Sequence, residues 1–142
     1  MRELGQYPNV KVPRLVQLRL DPVAPYIPEY QATRLPKKLR SVFIEFRLYD
    51  HPLGKSWRLR SAKADVFTLL KALYTSRLPV YGVELVGIFP LPSGNTRKDT
   101  RALVAFIDHP TAARIPWRRW GRDEETRVWS LLDFKHVDPR FA

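Results

Sequence analysis

The spacing of the apolar residues changes between residues 41 and 108, and this change constrains the fold more than any other feature of the chain. Apolar side chains occupy every second position of residues 41–49, starting at Val42, which is typical of a half-buried strand. Residues 62–77 instead place their apolar groups at the spacing of one helix face, and Pro79 follows where such a helix must end. A strand and then one amphipathic helix are therefore predicted.

Two further segments, 81–91 and 101–108, have the apolar pattern of strands, and a polar turn joins them. Gly94 and Asn95 tolerate the positive φ that such a turn requires. The order strand, helix, strand, strand predicts an α+β fold of the ferredoxin-like or split β-α-β type. In it, a small antiparallel sheet carries one main helix on one face. The chain after residue 108 can continue it with a short helix and a fourth strand over residues 127–134.

The composition divides the 142 residues into three parts. Residues 1–40 contain six prolines, each of which fixes φ and removes a backbone donor, so an extended, basic N-terminal arm is predicted. Residues 41–108 form the α/β core domain, and residues 109–142 form a basic, Trp-rich C-terminal extension that ends in a tail. The arm carries many apolar groups, so we expect it to lie along a surface of its own domain or of a partner.

The formal net charge of +11 favours an anionic partner, either a nucleic acid or an anionic membrane surface. The alternative is that there is no specific anionic partner, since excess Arg can also reflect genomic base composition. Of the basic residues 17 are Arg, whose planar group pairs with phosphate and stacks on bases. The chain has no Cys, its three His are scattered, and it has no glycine-rich nucleotide loop. We therefore expect no catalytic residue, metal, cofactor or small-molecule substrate. No apolar run is long enough to cross a bilayer, so a membrane-spanning protein is not expected.

Three basic clusters are the candidate RNA contacts, because cations neutralise phosphates and interleaved aromatic rings stack on bases. Each also has an ordinary structural explanation: a solvated hinge for the first, a soluble turn for the second, and packing of the two Trp residues on the sheet edge for the third. The predicted RNA-binding residues are Arg34, Lys37, Lys38 and Arg40, then Arg97, Lys98 and Arg101, and finally Trp117, Arg118, Arg119, Trp120 and Arg122.

The outward face of the first predicted strand presents Phe43 and Tyr49, as the first strand of an RNA recognition motif would. In the third strand Arg101 and Leu103 occupy the positions where that motif has its other aromatic residues. An RNA-recognition-motif-like binder of single-stranded RNA is therefore an alternative, and base stacking on the sheet is not the expected main contact.

Several segments together resemble large-subunit ribosomal protein twenty-three, especially its mitochondrial form. They are residues 42–46, 57–60, 64–74 and 78–80, with the hairpin of residues 82–91 and 101–108, and the Tyr7-Pro8 pair near the start of the arm. The resemblance implies a structural, non-catalytic constituent of the ribosome that binds rRNA and neighbouring ribosomal proteins. It implies that the hairpin residues Arg97, Lys98 and Arg101 contact rRNA. The implied location is the mitochondrial ribosome, with the cytoplasm as the alternative. A docking subunit of a large protein complex is a further alternative function.

Overall fold

The computed structural model describes residues 14–22 and 39–142. Its strands are β1 (Leu15–Pro22), β2 (Arg40–Arg47), β3 (Val80–Ser93), β4 (Thr96–Ile107) and β5 (Phe134–Val137). Its helices are α1 (Lys55–Thr75), α2 (His109–Ala113) and α3 (Glu125–Leu131), and a 3-10 turn (Arg122–Glu124) precedes α3.

The five strands form one sheet in the order β1-β2-β3-β4-β5. The α+β class, the single main helix on the sheet and the β-α-β-β order from β2 to β4 are confirmed. The sheet is mixed rather than wholly antiparallel, because β2 and β3 are parallel and hydrogen-bonded directly to each other. The other neighbouring strands are antiparallel.

Both segments outside residues 41–108 contribute strands to this sheet. Part of the predicted arm forms β1, which pairs with β2 at one edge, and β5 pairs with β4 at the other edge. The predicted strand over residues 127–134 is wrong, because Glu125–Leu131 is helical and the strand begins only at Phe134. Since Val128 lies fully buried on that helix, packing of the helix decides the local structure.

Helix α1 is longer than the apolar spacing predicted. It begins at Lys55 rather than at residue 62, directly after Gly54, whose φ of 99° is accessible mainly to glycine. At the other end Ser76 is extended and its hydroxyl donates a hydrogen bond to the Leu73 carbonyl at 2.6 Å. The predicted end of the helix before Pro79 is confirmed.

The core lies between α1 and one face of the sheet, with contributions from the C-terminal third. β2 supplies Val42, Ile44 and Phe46, each at most 1% exposed, as the alternating pattern requires. The other buried side chains include Val66, Leu69, Leu70 and Leu73 of α1, Val83 and Leu85 of β3, and Ile115, Trp117, Val128, Leu132 and Phe141. We call the face of the sheet away from α1 the outer face.

A buried ion pair fastens β1 to α1. Arg14 is 2% exposed, and its guanidinium donates hydrogen bonds to both carboxylate oxygens of the buried Asp65. Its Nε also donates to the Arg47 carbonyl at 3.2 Å, and its own carbonyl accepts from the Arg47 N–H at 2.6 Å. Arg14 therefore stabilises the fold and is not accessible to an anionic partner.

Candidate nucleic-acid interface

The β3–β4 hairpin projects beyond the end of β2 and carries three exposed cations. Its register pairs Pro92 with Arg97 and Ser93 with Thr96, so the turn contains only two residues. Gly94 has a φ of 60°, as predicted, and this turn is shorter than the polar segment suggested.

Arg97, Lys98 and Arg101 are all exposed, as the sequence predicted. Their side chains make no hydrogen bond or ion pair with any other residue that the structure describes. Because side chains alternate along a strand, Arg97 and Arg101 lie on the outer face and Lys98 on the opposite one. Asp99, the acid among them, is already paired with Arg47 at 3.0 Å. The hairpin therefore presents positive charge on both sides of a narrow ribbon.

The Trp-rich segment is used differently. Trp117 is 7% exposed, its Nε1 donates to the Ala112 carbonyl at 3.0 Å, and its ring stacks on Tyr74 with centroids 5.1 Å apart. The prediction that Trp117 stacks on RNA is therefore wrong, because the ring belongs to the core. Burial, together with the nearby Asp108 carboxylate, raises the pKa of its partner Tyr74.

Trp120 is half-buried against the same core. The Arg127 guanidinium lies 4.5 Å from its ring centroid, and Lys71 donates to its carbonyl at 2.7 Å. The two Trp residues thus have the structural role that was the alternative explanation.

The three arginines of this segment remain exposed. Arg118 donates to the Thr75 carbonyl at 3.4 Å, at the C-terminus of α1. The side chain of Arg119 contacts no partner within the described residues. The Arg122 side chain is 90% exposed, with Nε 3.9 Å from a Glu125 oxygen. The guanidinium groups of Arg119 and Arg122 are thus accessible to a ligand such as an RNA phosphate.

Of the first cluster the structure describes only Arg40, which lies at the opposite end of the sheet from the hairpin tip. Arg40 begins β2, is half-buried, and donates its backbone N–H to the Pro79 carbonyl at 2.8 Å. The predicted contacts Arg34, Lys37 and Lys38 lie outside the described residues. Since β2 and β3 are parallel, Arg40 sits beside Val80, whereas the hairpin tip follows the far end of β3. Arg40 and the hairpin cations are therefore not brought together.

The outer face carries an aromatic row that the sequence reading missed. One line across the five strands contains Arg19, Phe43, Glu84, Phe106 and Phe134. Phe134 is 54% exposed, and the Arg19 guanidinium lies 4.8 Å from the Phe43 centroid. Glu84 is exposed between Phe43 and Phe106, and Glu45 lies in the next line. The alternation of side chains along residues 101–108 could have placed Phe106 on the outer face. Phe134 could not be placed there without knowing that β5 joins the sheet.

A second feature missed from the sequence is a groove beside the first half of α1, which we call the Trp57 groove. It consists of two adjoining concavities of about 460 and 470 Å³, and Trp57 and Arg60 line both. The remaining lining residues are Ser56, Leu59, Lys63 and Thr126 in one, and His51, Ser61, Ala64, Arg122 and Glu125 in the other. Finding it would have required placing Trp57 on the helix.

The rings and cations of the Trp57 groove are in direct contact. His51 stacks on Trp57 with centroids 5.4 Å apart and planes 19° from parallel. The Arg60 guanidinium lies 4.8 Å from the Trp57 centroid. Burial raises the pKa of the Glu125 carboxyl at the rim, against the lowering effect of Arg122. The groove thus combines an exposed indole with several cations.

Nothing in residues 14–22 and 39–142 groups three or more His, Asp or Glu side chains as a metal site would. No helix of those residues has the length and apolar character needed to span a bilayer.

No protein-family model matches the chain, and searches found no curated protein and no solved structure with significant similarity to it.

Proposed function

We propose that this chain is a non-enzymatic RNA-binding protein that holds RNA chiefly through its phosphates. The observation that carries the proposal is the set of exposed, unpaired cations Arg97, Lys98 and Arg101 on the projecting hairpin. Neutralising phosphates releases condensed counterions, which is the main source of sequence-independent affinity for nucleic acids. A net charge of +11 adds long-range attraction to the same contact.

The hairpin geometry suits this role better than a flat basic surface would. A two-stranded ribbon is narrow enough to enter a nucleic-acid groove, and cations on both of its sides can meet phosphates of both flanking strands. Because Arg47 neutralises Asp99, the acid on the hairpin opposes this contact only weakly. Arg119 and Arg122 would add phosphate contacts elsewhere on the surface.

The most specific form of the proposal comes from the resemblance described above. In it, the chain is an rRNA-binding constituent of the large ribosomal subunit, in contact with neighbouring ribosomal proteins, in the mitochondrion or alternatively in the cytoplasm. Sedimentation of a native lysate tests this form. Co-migration of the chain with a large subunit is expected, and its migration free of RNA would contradict it.

The direct test measures binding of a labelled stem-loop RNA by fluorescence anisotropy over a series of salt concentrations. The logarithm of the binding constant should fall linearly with the logarithm of the salt concentration. Replacing Arg97, Lys98 and Arg101 with Gln should reduce the steepness of this slope by about 0.9 per lost phosphate contact. The matched control replaces Arg114, Arg127 and Lys135 with Gln, which removes the same charge from exposed positions elsewhere.

Equal slopes for the hairpin and control variants would overturn the assignment to the hairpin. Binding that does not weaken between about 50 and 500 mM salt would overturn the phosphate mechanism itself.

A docking subunit of a protein complex is the second candidate, and the aromatic row of the outer face favours it. Phe134 exposes more than half of its surface there, and aromatic residues and Arg are enriched at protein interfaces. The same row is less suited to a recognition-motif-like contact with single-stranded RNA, because Glu45 and Glu84 would repel the phosphates. If Phe43→Ala and Phe134→Ala left RNA binding unchanged but released a co-purifying protein, docking would be supported.

A further inference from the structure

We propose that the Trp57 groove is a second RNA contact, which takes an unpaired nucleotide of the same RNA. The base would extend the stack of His51, Trp57 and Arg60, and the flanking phosphates would lie against Arg60, Lys63 and Arg122. This inference rests on the proposed RNA-binding function and adds to it a preference for RNA with single-stranded positions.

The exposed ring is the first reason. Trp57 is 38% exposed, whereas Trp117 is buried and Trp120 and Trp129 pack against the core. An indole left partly in water forgoes the burial that would otherwise stabilise the fold, so a structural role accounts poorly for its position. A nucleotide bound against this stack would cover the exposed part of the ring.

The second reason is the geometry of the contacts around the ring. The His51 ring is nearly parallel to the indole, and the Arg60 guanidinium lies close to it. Imidazole, indole and guanidinium are all planar groups on which bases stack. Since Arg60 is an exposed residue, its planar group can be reached from solvent. The contact surface is therefore assembled before the RNA arrives, which lowers the entropic cost of binding.

The third reason is the charge of the groove. Within the described structure, Arg60 and Lys63 form no ion pair with a carboxylate, and their cations lie over the rings of Trp57 and Trp129. Glu125 is the sole acid among the described residues that line the two concavities. Its oxygen is 3.9 Å from Arg122 Nε, too long for a hydrogen bond, so Arg122 can turn toward a phosphate.

The form of the groove favours an unpaired segment over a duplex. A base inside a duplex is stacked on its neighbours and offers only its edges, so an aromatic side chain reaches a base face only where the RNA is unpaired. The two concavities share Trp57 and Arg60, so a base on the stack would have a basic pocket on either side for its phosphates.

The experiment compares a labelled twelve-nucleotide oligouridylate with a blunt-ended RNA duplex by anisotropy. Trp57→Leu should weaken binding of the oligouridylate by about 5- to 150-fold, the range for loss of one base–aromatic stack, and should leave duplex binding unchanged. Trp57→Phe should restore most of the lost affinity, because its ring still stacks. Far-ultraviolet circular dichroism and thermal unfolding of each variant verify the fold.

The double variant Arg60→Gln/Lys63→Gln tests the phosphate contacts and should lower the salt slope for the oligouridylate. Its matched control is Arg127→Gln, since Arg127 also lies over an indole but outside the groove. A poly-glutamate peptide should compete poorly, because it offers charge without bases.

Each contrary outcome has a distinct meaning. Unchanged oligouridylate binding by Trp57→Leu would overturn this inference, and salt-sensitive duplex binding through the hairpin would still support the proposed function. Efficient competition by poly-glutamate would also overturn it, since the groove would then recognise negative charge alone. If neither RNA bound in a salt-sensitive manner, the proposed function itself would fail.

Discussion

The β3–β4 hairpin and the segment of residues 117–122 both carry exposed arginines, but the fold uses only the second for its core. Both were predicted as RNA contacts. In the hairpin the side chains of Arg97, Lys98 and Arg101 bind no described residue. In the other segment Trp117 is in the core and Arg118 contacts the end of α1. Basic side chains thus stay unpaired within the described residues at the hairpin, whereas the fold uses Trp117 and Arg118 of the other segment.

The difference follows from what lies next to each segment. The hairpin extends past β2, so beyond Arg47 its strands have lost that neighbour. The Trp-rich segment instead follows the short helix α2 and returns to the end of α1, where Tyr74 offers a ring for Trp117 to cover. Packing Trp117 against this ring removes apolar surface from water and so stabilises the fold, which an exposed Trp117 would not do.

The largest effect on stability is expected for Trp117→Ala, which tests the structural role of the Trp-rich segment. Removing a buried Trp leaves a cavity and typically costs about 3–5 kcal/mol of unfolding free energy. Urea unfolding followed by circular dichroism should show this loss, whereas Gln at Arg97, Lys98 and Arg101 should change stability by no more than about 0.5 kcal/mol. A Trp117→Ala protein of normal stability that bound RNA weakly would reverse the roles assigned to the two regions.

Arg14 is the extreme case of a cation used by the fold, and Asp65→Ala tests it. The substitution leaves a buried guanidinium without its carboxylate, so we expect a loss of about 3–5 kcal/mol in the unfolding free energy. The matched control is the double variant Arg14→Met/Asp65→Leu, which removes both charges and should recover most of that loss. If the single variant were as stable as the double one, the pair would not anchor β1, and urea unfolding distinguishes the two results.

Local patterns were sufficient for the parts of the fold that depend on neighbouring residues. The alternation after Val42 identified β2, Pro79 marked the limit of α1, and Gly94 identified the turn. The long-range parts were missed. β1 is held by a pair between Arg14 and Asp65, which are 51 residues apart, and no periodicity within a short window can show such a contact.

In the candidate site, too, only features that depend on neighbouring residues could be predicted. The exposure of Arg97, Lys98 and Arg101 could be predicted, because a hairpin tip has few neighbours by geometry. The role of Trp117 could not, since it depends on Tyr74 on another element. Trp57 was overlooked because the predicted helix began at residue 62, and only the observed helix, which begins at Lys55, places the ring beside Arg60.

The smallest effects should come from Arg118 and Arg119, which are adjacent in sequence but differ in their contacts. Arg118→Gln removes a cation that donates to the Thr75 carbonyl at the C-terminus of α1, so stability should fall by about 0.3–1 kcal/mol. Arg119→Gln should leave stability unchanged and reduce the RNA salt slope by about 0.9, the value for one phosphate contact. Urea unfolding and anisotropy on both variants measure the two effects. The opposite result would be that Arg118→Gln changed only RNA binding and Arg119→Gln changed only stability. Contact with α1 would then fail to predict which arginine stabilises the fold.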